Sequence, residues 1–107
     1  MKLQRIQRRR AKGWRMQPNT KCVNRGTKWG NPFVVGVDGT RDECIRNFEF
    51  LCAGLMSPSA KASLKDQELV VNSVKNDLHE IRGLNLACFC KEGDPCHADV
   101  LLKIANP

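Results

Sequence analysis

The stretch from Leu84 to Phe89 constrains the fold of this chain more than any other segment. It is short and mostly apolar, and turn-forming residues flank it, which is typical of a buried β-strand. A segment with helical periodicity precedes it, and another helix is predicted shortly after it. Strands that alternate with helices favour a parallel sheet with helices packed against it. We therefore expect an α/β fold with a small three-layer sheet, short and mostly parallel strands, about three helices and a Rossmann-like arrangement.

The other elements are predicted from helix caps and apolar periodicity. Thr40 and Glu43 have the spacing of a capping box, so a helix begins there. Asp94 as a cap, with Pro95 at the first helical position, would start the last helix. The predicted strands cover 21–24, 33–37 and 84–89, and the predicted helices cover 40–54, 66–82 and 96–106.

The 107 residues are enough for one domain. We expect a basic, irregular segment at 1–16 that packs on or extends from a single α/β domain at 17–107. The longest apolar run is far shorter than the roughly 20 residues of a membrane-spanning helix, so no membrane partner is expected. The amino-terminal stretch lacks the apolar core of a secretory signal, which predicts a cytoplasmic location.

Positive charge is concentrated at the amino-terminal end. Residues 1–15 carry seven of the 18 lysines and arginines and no acid, whereas the other eleven basic residues are matched by 11 acidic ones. Such an arm binds phosphate groups without reading bases, and a solvated tail is the alternative. Aromatic residues make up only 6% of the chain, which argues against a base-stacking platform. The candidate ligand-binding residues of the arm are Arg8, Arg10, Lys12, Trp14 and Arg15.

The pattern C-x-C-x5-C-H is the main candidate site, and it comprises Cys88, Cys90, Cys96 and His97. Residues i and i+2 of a strand project to one face, so Cys88 and Cys90 should point the same way. The pattern spans the junction between a strand end and a helix start, which is where α/β sheets bind ligands.

Three interpretations of this pattern stay open. In the first, the three cysteines and His97 bind zinc, although adjacent Cys and His rarely both ligate one tetrahedral ion, and no metal is favoured. In the second, the candidate catalytic residues are Cys96, as a thiolate or anion-site residue, and His97, as an acid–base or hydrogen-bonding group, with Cys88 and Cys90 lining the pocket. In the third, the cysteines are small buried apolar residues and His97 belongs to a structural network.

A glycine-rich loop at 25–32 is the second candidate site. Its glycines permit close backbone approach, but it lacks the phosphate-binding pattern of nucleoside-triphosphate hydrolases. Trp29 would stack on a base or, in the alternative interpretation, fill the core. The candidate ligand-binding residues of this loop are Arg25, Thr27, Lys28, Trp29, Gly30 and Asn31.

Three motifs taken together resemble a known family. They are K-G-W-R-M at 12–16, T-K-W-G-N-P-F at 27–33, and C-x-C followed by P-C-H-A-D-V-L-L within 88–102. With them the chain resembles the small phage and bacterial proteins of domain-of-unknown-function family 4326, over nearly its whole length. The resemblance implies an intracellular, often phage-encoded protein of the bacterial host cell, and it implies no established activity.

Our leading hypothesis is a phage-type protein that binds a nucleotide, a nucleobase or a nucleic-acid end between 27–31 and 88–97. The basic segment 8–15 would contact phosphate groups, and nucleotide-processing activity stays open. One alternative is a phage-encoded inhibitor or nucleotide-sequestering protein that acts on a host defence system without catalysis. Another is a zinc-stabilised nucleic-acid-binding module, in which zinc would be the cofactor.

Overall fold

The computed structural model of the protein describes residues 3–91 and 93–107. Met1 and Lys2, at the start of the predicted basic segment, and Glu92, inside the cysteine pattern, lie outside the described residues. Among the described residues, no helix is long and apolar enough to cross a membrane. All six cysteines are free.

Three short strands form one parallel sheet, and they are β1 (Arg5–Gln7), β2 (Thr20–Cys22) and β3 (Asn85–Cys88). β3 lies in the middle, and the other two strands both pair with it in parallel. All four residues of β3 are buried, as expected for the central strand of a parallel sheet. The described residues contain three α-helices in addition to this sheet, so the prediction of a small α/β fold with parallel strands is confirmed.

β1 has no clear strand signal in the sequence. Of its three residues only Ile6 is buried, and Arg5 and Gln7 belong to a polar, strongly basic stretch. β1 is held in place by its pairing with the buried central strand. The backbone hydrogen bonding continues one residue past the end of β1, where the Arg8 N–H donates to the Cys88 carbonyl at 2.7 Å. The amino-terminal stretch therefore contributes an edge strand where the sequence predicts an irregular segment.

The prediction of a strand at 33–37 is wrong, because this segment is a turn. The Asp38 carboxylate accepts the N–H of Val34 at 2.9 Å, and Gly36 has a positive φ of 87° that β-strands do not use. Phe33 is the one residue of the segment that is buried. The β-branched residues that produced the strand signal are 44%, 46% and 58% exposed, and they are Val34, Val35 and Val37.

The first helix, α1 (Arg41–Cys52), begins where the capping box predicts. The Thr40 hydroxyl accepts the Glu43 N–H at 3.2 Å, and the Glu43 carboxylate accepts the Thr40 N–H at 3.0 Å. The buried residues of α1 recur at helical spacing and face the core. They are Cys44, Phe48 and Leu51.

The second helix, α2 (Leu64–Asp77), starts two residues before the predicted helix at 66–82 and ends in a 3-10 turn at Leu78–Glu80. Ser63 caps its start, because the Ser63 hydroxyl accepts a backbone N–H of the first turn at 3.1 Å. This helix buries Val70 and packs against α1.

The third helix, α3 (His97–Ala105), begins later than predicted. Cys96 is its N-cap, and the Cys96 sulfur accepts a backbone N–H of the first turn at 3.5 Å. The Asp94 carbonyl accepts a hydrogen bond from the Arg5 guanidinium at 2.7 Å, which holds Asp94 and Pro95 outside the helix. The prediction of an Asp94 cap with Pro95 at the first helical position is therefore wrong. The helix start presents a sulfur instead of a carboxylate.

The hydrophobic core lies between the sheet and the helices. α3 packs on β3 and β1, and α1 packs on α2 and α3. The glycine-rich loop joins this core through Trp29, which is 1% exposed, and Phe33, which is fully buried. This anchoring holds the loop beside the carboxyl ends of the strands.

Acid should weaken the turn after Phe33, because Asp38 organises it. The Asp38 carboxylate accepts the N–H groups of Val34 at 2.9 Å and Lys61 at 2.7 Å, and these bonds lower the pKa of Asp38. A carboxyl with a lowered folded pKa stabilises the fold above its unfolded pKa of about 3.9, and the contribution is lost as the pH falls through the folded pKa. We expect Asp38→Asn to lower the Tm at neutral pH and to flatten part of its acid dependence. Circular-dichroism melts at stepped pH measure this, and an acid dependence equal to that of wild type would contradict it.

Candidate functional site

The carboxyl ends of the three parallel strands meet at one edge of the sheet. The chain continues from β1 to Arg10, from β2 to Asn24 and from β3 to Phe89, and these three residues line one cleft of about 610 Å³. Parallel α/β sheets bind ligands at this edge. The volume falls within the roughly 300–1,000 Å³ of small-molecule sites. We call this cavity the carboxyl-edge cleft.

Most of the charged residues that line the carboxyl-edge cleft are basic. Its charged lining residues, within the described ranges, are Arg10, Arg25, Arg41, Lys91 and Asp94. None of the four basic residues takes part in an ion pair in the part of the chain that the structure describes. An anion that enters the cleft therefore meets cations that pair with no carboxylate of the described residues.

Arg25 builds a wall of the cleft. Its guanidinium donates to the carbonyls of Asn31 and Phe33, the latter at 2.7 Å. The buried Asn31 side chain in turn donates to the Cys44 carbonyl at 3.3 Å and accepts the Phe33 N–H at 3.0 Å. This network fixes the glycine-rich loop against α1.

Phe89 forms an aromatic edge of the cleft and is 37% exposed. The guanidinium carbons of Arg8 and Arg10 lie 4.7 Å and 4.6 Å from the centre of its ring. Such cation–π contacts hold both arginines against the end of β3. Arg8 also donates to the side-chain oxygen of Asn24 at 2.9 Å. The basic arm therefore reaches the cleft through Arg8 and Arg10.

Three thiols meet along the cleft. The sulfurs of Cys88, Cys90 and Cys96 all lie within 4.8 Å of one another, and those of Cys88 and Cys96 are 2.9 Å apart. Cys88 is the last residue of β3, Cys90 lies in the bend that follows, and Cys96 is the N-cap of α3. Cys88 and Cys96 are buried, whereas Cys90 is partly exposed.

The hydrogen bond between Cys88 and Cys96 makes the two thiols unequal in acidity. It lowers the pKa of Cys88 against the opposing effect of burial, and it raises the pKa of Cys96 together with burial. Burial also raises the pKa of Cys90. Either sulfur of the pair can be the donor of this hydrogen bond. The thiolate at Cys96 stays a prediction.

His97 is buried and tied to the backbone. Its Nε2 lies 2.6 Å from the Val23 carbonyl oxygen, so Nε2 carries a hydrogen and donates it. In the neutral ring Nδ1 then presents its lone pair to the Cys96 sulfur at 3.7 Å. Phe48 packs edge-on against the ring, with centroids 5.3 Å apart. His97 does not belong to the group of sulfurs that lie within 4.8 Å of one another in the described residues, which does not favour the interpretation with His97 as a fourth zinc ligand.

Arg5 holds the segment that carries Cys96, and no local motif indicates this role. Its guanidinium donates to the carbonyls of Asp94 at 2.7 Å and Lys91 at 3.3 Å, and it lies 3.4 Å from the Asp99 carboxylate. Burial acts to lower the pKa of Arg5, but the Cys96 sulfur and the Asp99 carboxylate raise it overall. The contact depends on the pairing of β1 with β3, which only the folded chain provides.

Part of the glycine-rich loop faces away from the carboxyl-edge cleft. Lys28 forms ion pairs with Asp77 at 2.9 Å and Glu80 at 2.8 Å. The sequence predicts a single pocket between this loop and the cysteine pattern. Of the described loop residues, Arg25 and Asn31 line the carboxyl-edge cleft, and both also line a second cavity. The loop residues that line a separate cavity of about 390 Å³ beside α2 include Thr27, Lys28 and Gly30.

Trp29 and Gly30 have structural roles. The Trp29 ring is 1% exposed, so it has no free face for a base, and the prediction that it stacks on a ligand is corrected. A Cβ at Gly30 would lie 2.9 Å from the Arg25 Cα. This glycine therefore permits a close approach within the loop and not to a ligand.

The remaining residues of the basic arm lie elsewhere. Trp14 and Arg15 line a groove of about 250 Å³ beside β1, and Lys12 is exposed. Of the arm residues predicted to bind a ligand, Arg10 lines the carboxyl-edge cleft and Arg8 braces its edge. The lining residues that no site motif of the sequence indicates include Asn24 and Arg41.

Comparison with known proteins identifies a family for the chain. The sequence profile of a domain of unknown function, DUF4326, matches residues 6–107. No curated protein and no solved structure matches the chain. Because the profile spans nearly every residue, the resemblance seen in the sequence is confirmed, and the chain belongs to the DUF4326 family.

Proposed function

We propose that the protein binds a nucleotide-class ligand, with a phosphate joined to a sugar and a base, in the carboxyl-edge cleft. The observation that carries the proposal is the set of cations, at the carboxyl edge of a parallel sheet, that pair with no carboxylate of residues 3–91 and 93–107. Guanidinium groups bind phosphate oxygens in a bidentate manner, so Arg10 and Arg41 suit the phosphate end.

The other lining residues suit the base and sugar. Phe89, Val35 and Ile45 give the cleft an apolar part, next to the amide of Asn24. Bases stack on guanidinium planes as well as on aromatic rings, and because the Arg8 and Arg10 guanidiniums already lie over the Phe89 ring, a base would stack on the outer face of one of these guanidiniums. A nucleic-acid end presents a terminal phosphate of the same chemistry. A bare nucleobase lacks that phosphate and should bind less tightly.

We also propose that the protein is of phage type and acts in the bacterial cytoplasm, which the family resemblance supports. A Rossmann-like, three-layer arrangement is supported by the order of strands and helices and by the position of the cleft.

Arg41→Glu is expected to weaken binding of a nucleoside monophosphate about tenfold or more. A hydrogen bond to a charged group is worth about 1.5–3 kcal/mol, and the new carboxylate also repels the phosphate. Arg41 is exposed in the first turn of α1, where the helix dipole favours a negative charge, so the fold should tolerate the change. Isothermal titration calorimetry at one fixed salt concentration gives the Kd.

Arg46→Glu is the matched control. It makes the same charge change at an exposed position of the same helix, and Arg46 is not among the residues that line the cleft. We expect it to bind the monophosphate nearly as wild type does. Equal Kd values for the two variants would contradict the proposal, and so would a nucleoside that binds as tightly as its monophosphate.

A further inference from the structure

We infer that Cys88, Cys90 and Cys96 bind one Zn²⁺ ion through three thiolates, with the fourth coordination position open to the carboxyl-edge cleft. The inference goes beyond the proposed function, because a metal on these sulfurs does not require a bound nucleotide. Soft thiolate ligands select Zn²⁺ over Mg²⁺ and Ca²⁺, which prefer oxygen.

The distances among the sulfurs bracket those of a tetrahedral zinc centre. Zn–S bonds of about 2.3 Å at tetrahedral angles place ligand sulfurs about 3.8 Å apart. The Cys88 and Cys96 sulfurs are closer than this, at 2.9 Å, and all three sulfurs lie within 4.8 Å of one another. Side-chain rotation moves a cysteine sulfur by more than these differences.

The backbone fixes the positions of the sulfurs before any metal binds. Cys88 ends the central strand and is 1% exposed, and Cys96 caps α3 and is 2% exposed. Cys90 is partly exposed, and all three residues line the cleft. An ion therefore reaches the sulfurs from the cleft and keeps its free position on that side.

The surroundings stabilise an anionic centre. A Zn²⁺ ion with three thiolates has a net charge of minus one, and the guanidinium of Arg5 lies against Cys96. The Ala98 N–H donates to the Cys96 sulfur at 3.5 Å, at the start of α3, where the helix dipole favours negative charge. Hydrogen bonds from neighbouring groups to the ligands are a regular feature of metal sites.

His97 does not complete the ligand set. Its Nε2 is bonded to the Val23 carbonyl, and its Nδ1 contacts Cys96 at 3.7 Å without joining the sulfur cluster. Three protein ligands with one exchangeable position are the arrangement of catalytic zinc, in which a water or a substrate atom takes the fourth place. Here an oxygen of a cleft ligand can take that place.

Titration of the reduced, metal-free protein with Co²⁺ tests the ligand set. We expect one ion per chain, sulfur-to-cobalt charge-transfer absorption, and displacement of Co²⁺ by Zn²⁺. Cys90→Ser should lower Zn²⁺ affinity about tenfold or more and weaken the absorption, whereas Cys52→Ser, on α1, should leave both unchanged. Equal Zn²⁺ affinities in these two variants, or wild type without the charge-transfer absorption, would overturn the inference.

A disulfide is the competing chemistry of the close Cys88–Cys96 pair. Intact-mass measurement in reductant should find all six thiols reduced and able to take up zinc. A mass that stays lower by two hydrogens under these conditions, with no metal bound, would overturn the zinc site.

Addition of azide to the cobalt-loaded protein tests the open position. Azide should shift the visible d–d bands, and an unchanged spectrum would overturn the claim of an exchangeable position. Arg46→Glu should keep the cobalt spectrum of wild type, because Arg46 is neither a ligand nor a lining residue of the cleft. If a nucleoside monophosphate failed to bind the zinc-loaded protein, only the proposed function would be overturned. If the reduced protein took up no metal, only this inference would be overturned.

Discussion

Replacement of Phe48 by alanine is expected to lower the free energy of unfolding by about 3–5 kcal/mol, the usual cost of truncating a buried phenylalanine. Phe48 is fully buried, and its ring packs edge-on against His97 at an interplanar angle of 78°. A small domain has about 5–15 kcal/mol of total stability, so this substitution removes a large part of it. Urea unfolding followed by circular dichroism should show a lower midpoint with an unchanged slope.

Phe50→Ala is the control for this prediction. Phe50 lies two positions further along α1 and is 50% exposed. Its truncation should change stability by no more than about 0.5 kcal/mol, as is usual for surface positions. Comparable losses from Phe48→Ala and Phe50→Ala would contradict the assignment of the buried face of α1.

Arg5→Gln is expected to cost about 3 kcal/mol, because at least two hydrogen bonds from a charged group are lost at about 1.5–3 kcal/mol each and water restores part of them. The Arg5 side chain is 11% exposed and ties β1 to the carbonyls of Lys91 and Asp94. Without this link the connection between β3 and α3 should open more often. Hydrogen exchange measured by mass spectrometry should therefore speed up in that connection.

Arg9→Gln removes the same charge from the same arm, at an exposed position. It should leave both the unfolding midpoint and the exchange of the β3–α3 connection close to wild type. If Arg9→Gln destabilised the protein as much as Arg5→Gln does, the effect would come from net charge and not from the contacts of Arg5.

The sequence correctly predicts the helices and strands whose ends are set by residues close to them along the chain. The capping box of Thr40 and Glu43 lies within one helical turn, and the structure contains it as predicted. The buried strand near the end of the chain is also found, one residue shorter at each end than predicted. The sulfurs of Cys88 and Cys90 lie close together as predicted, although Cys90 falls in the bend after β3 and not in the strand itself.

Elements that depend on distant contacts escape prediction. The start of α3 has the local signal of an aspartate cap, but Arg5, which lies 89 positions away from Asp94, takes up the Asp94 carbonyl. β1 exists because a buried central strand pairs with it, and its own residues are mostly polar. No local pattern carries either contact.

The candidate site divides in the same way. The cysteine pattern predicts where the site lies, because a strand end and a helix start meet there. The role of Lys28 could not be predicted, since its partners Asp77 and Glu80 come from the end of α2 and the turn after it. The position of Arg41 in the cleft could not be predicted either, because it depends on how α1 packs.

Amide chemical-shift mapping by NMR tests whether a nucleotide binds in the carboxyl-edge cleft. During titration with a nucleoside monophosphate, we expect the largest shifts around Asn24, Arg41 and the segment that follows β3, with little change when the matching nucleoside is added. Shifts confined to the groove of Trp14 and Arg15, or spread evenly over the basic residues, would contradict a ligand site in the carboxyl-edge cleft.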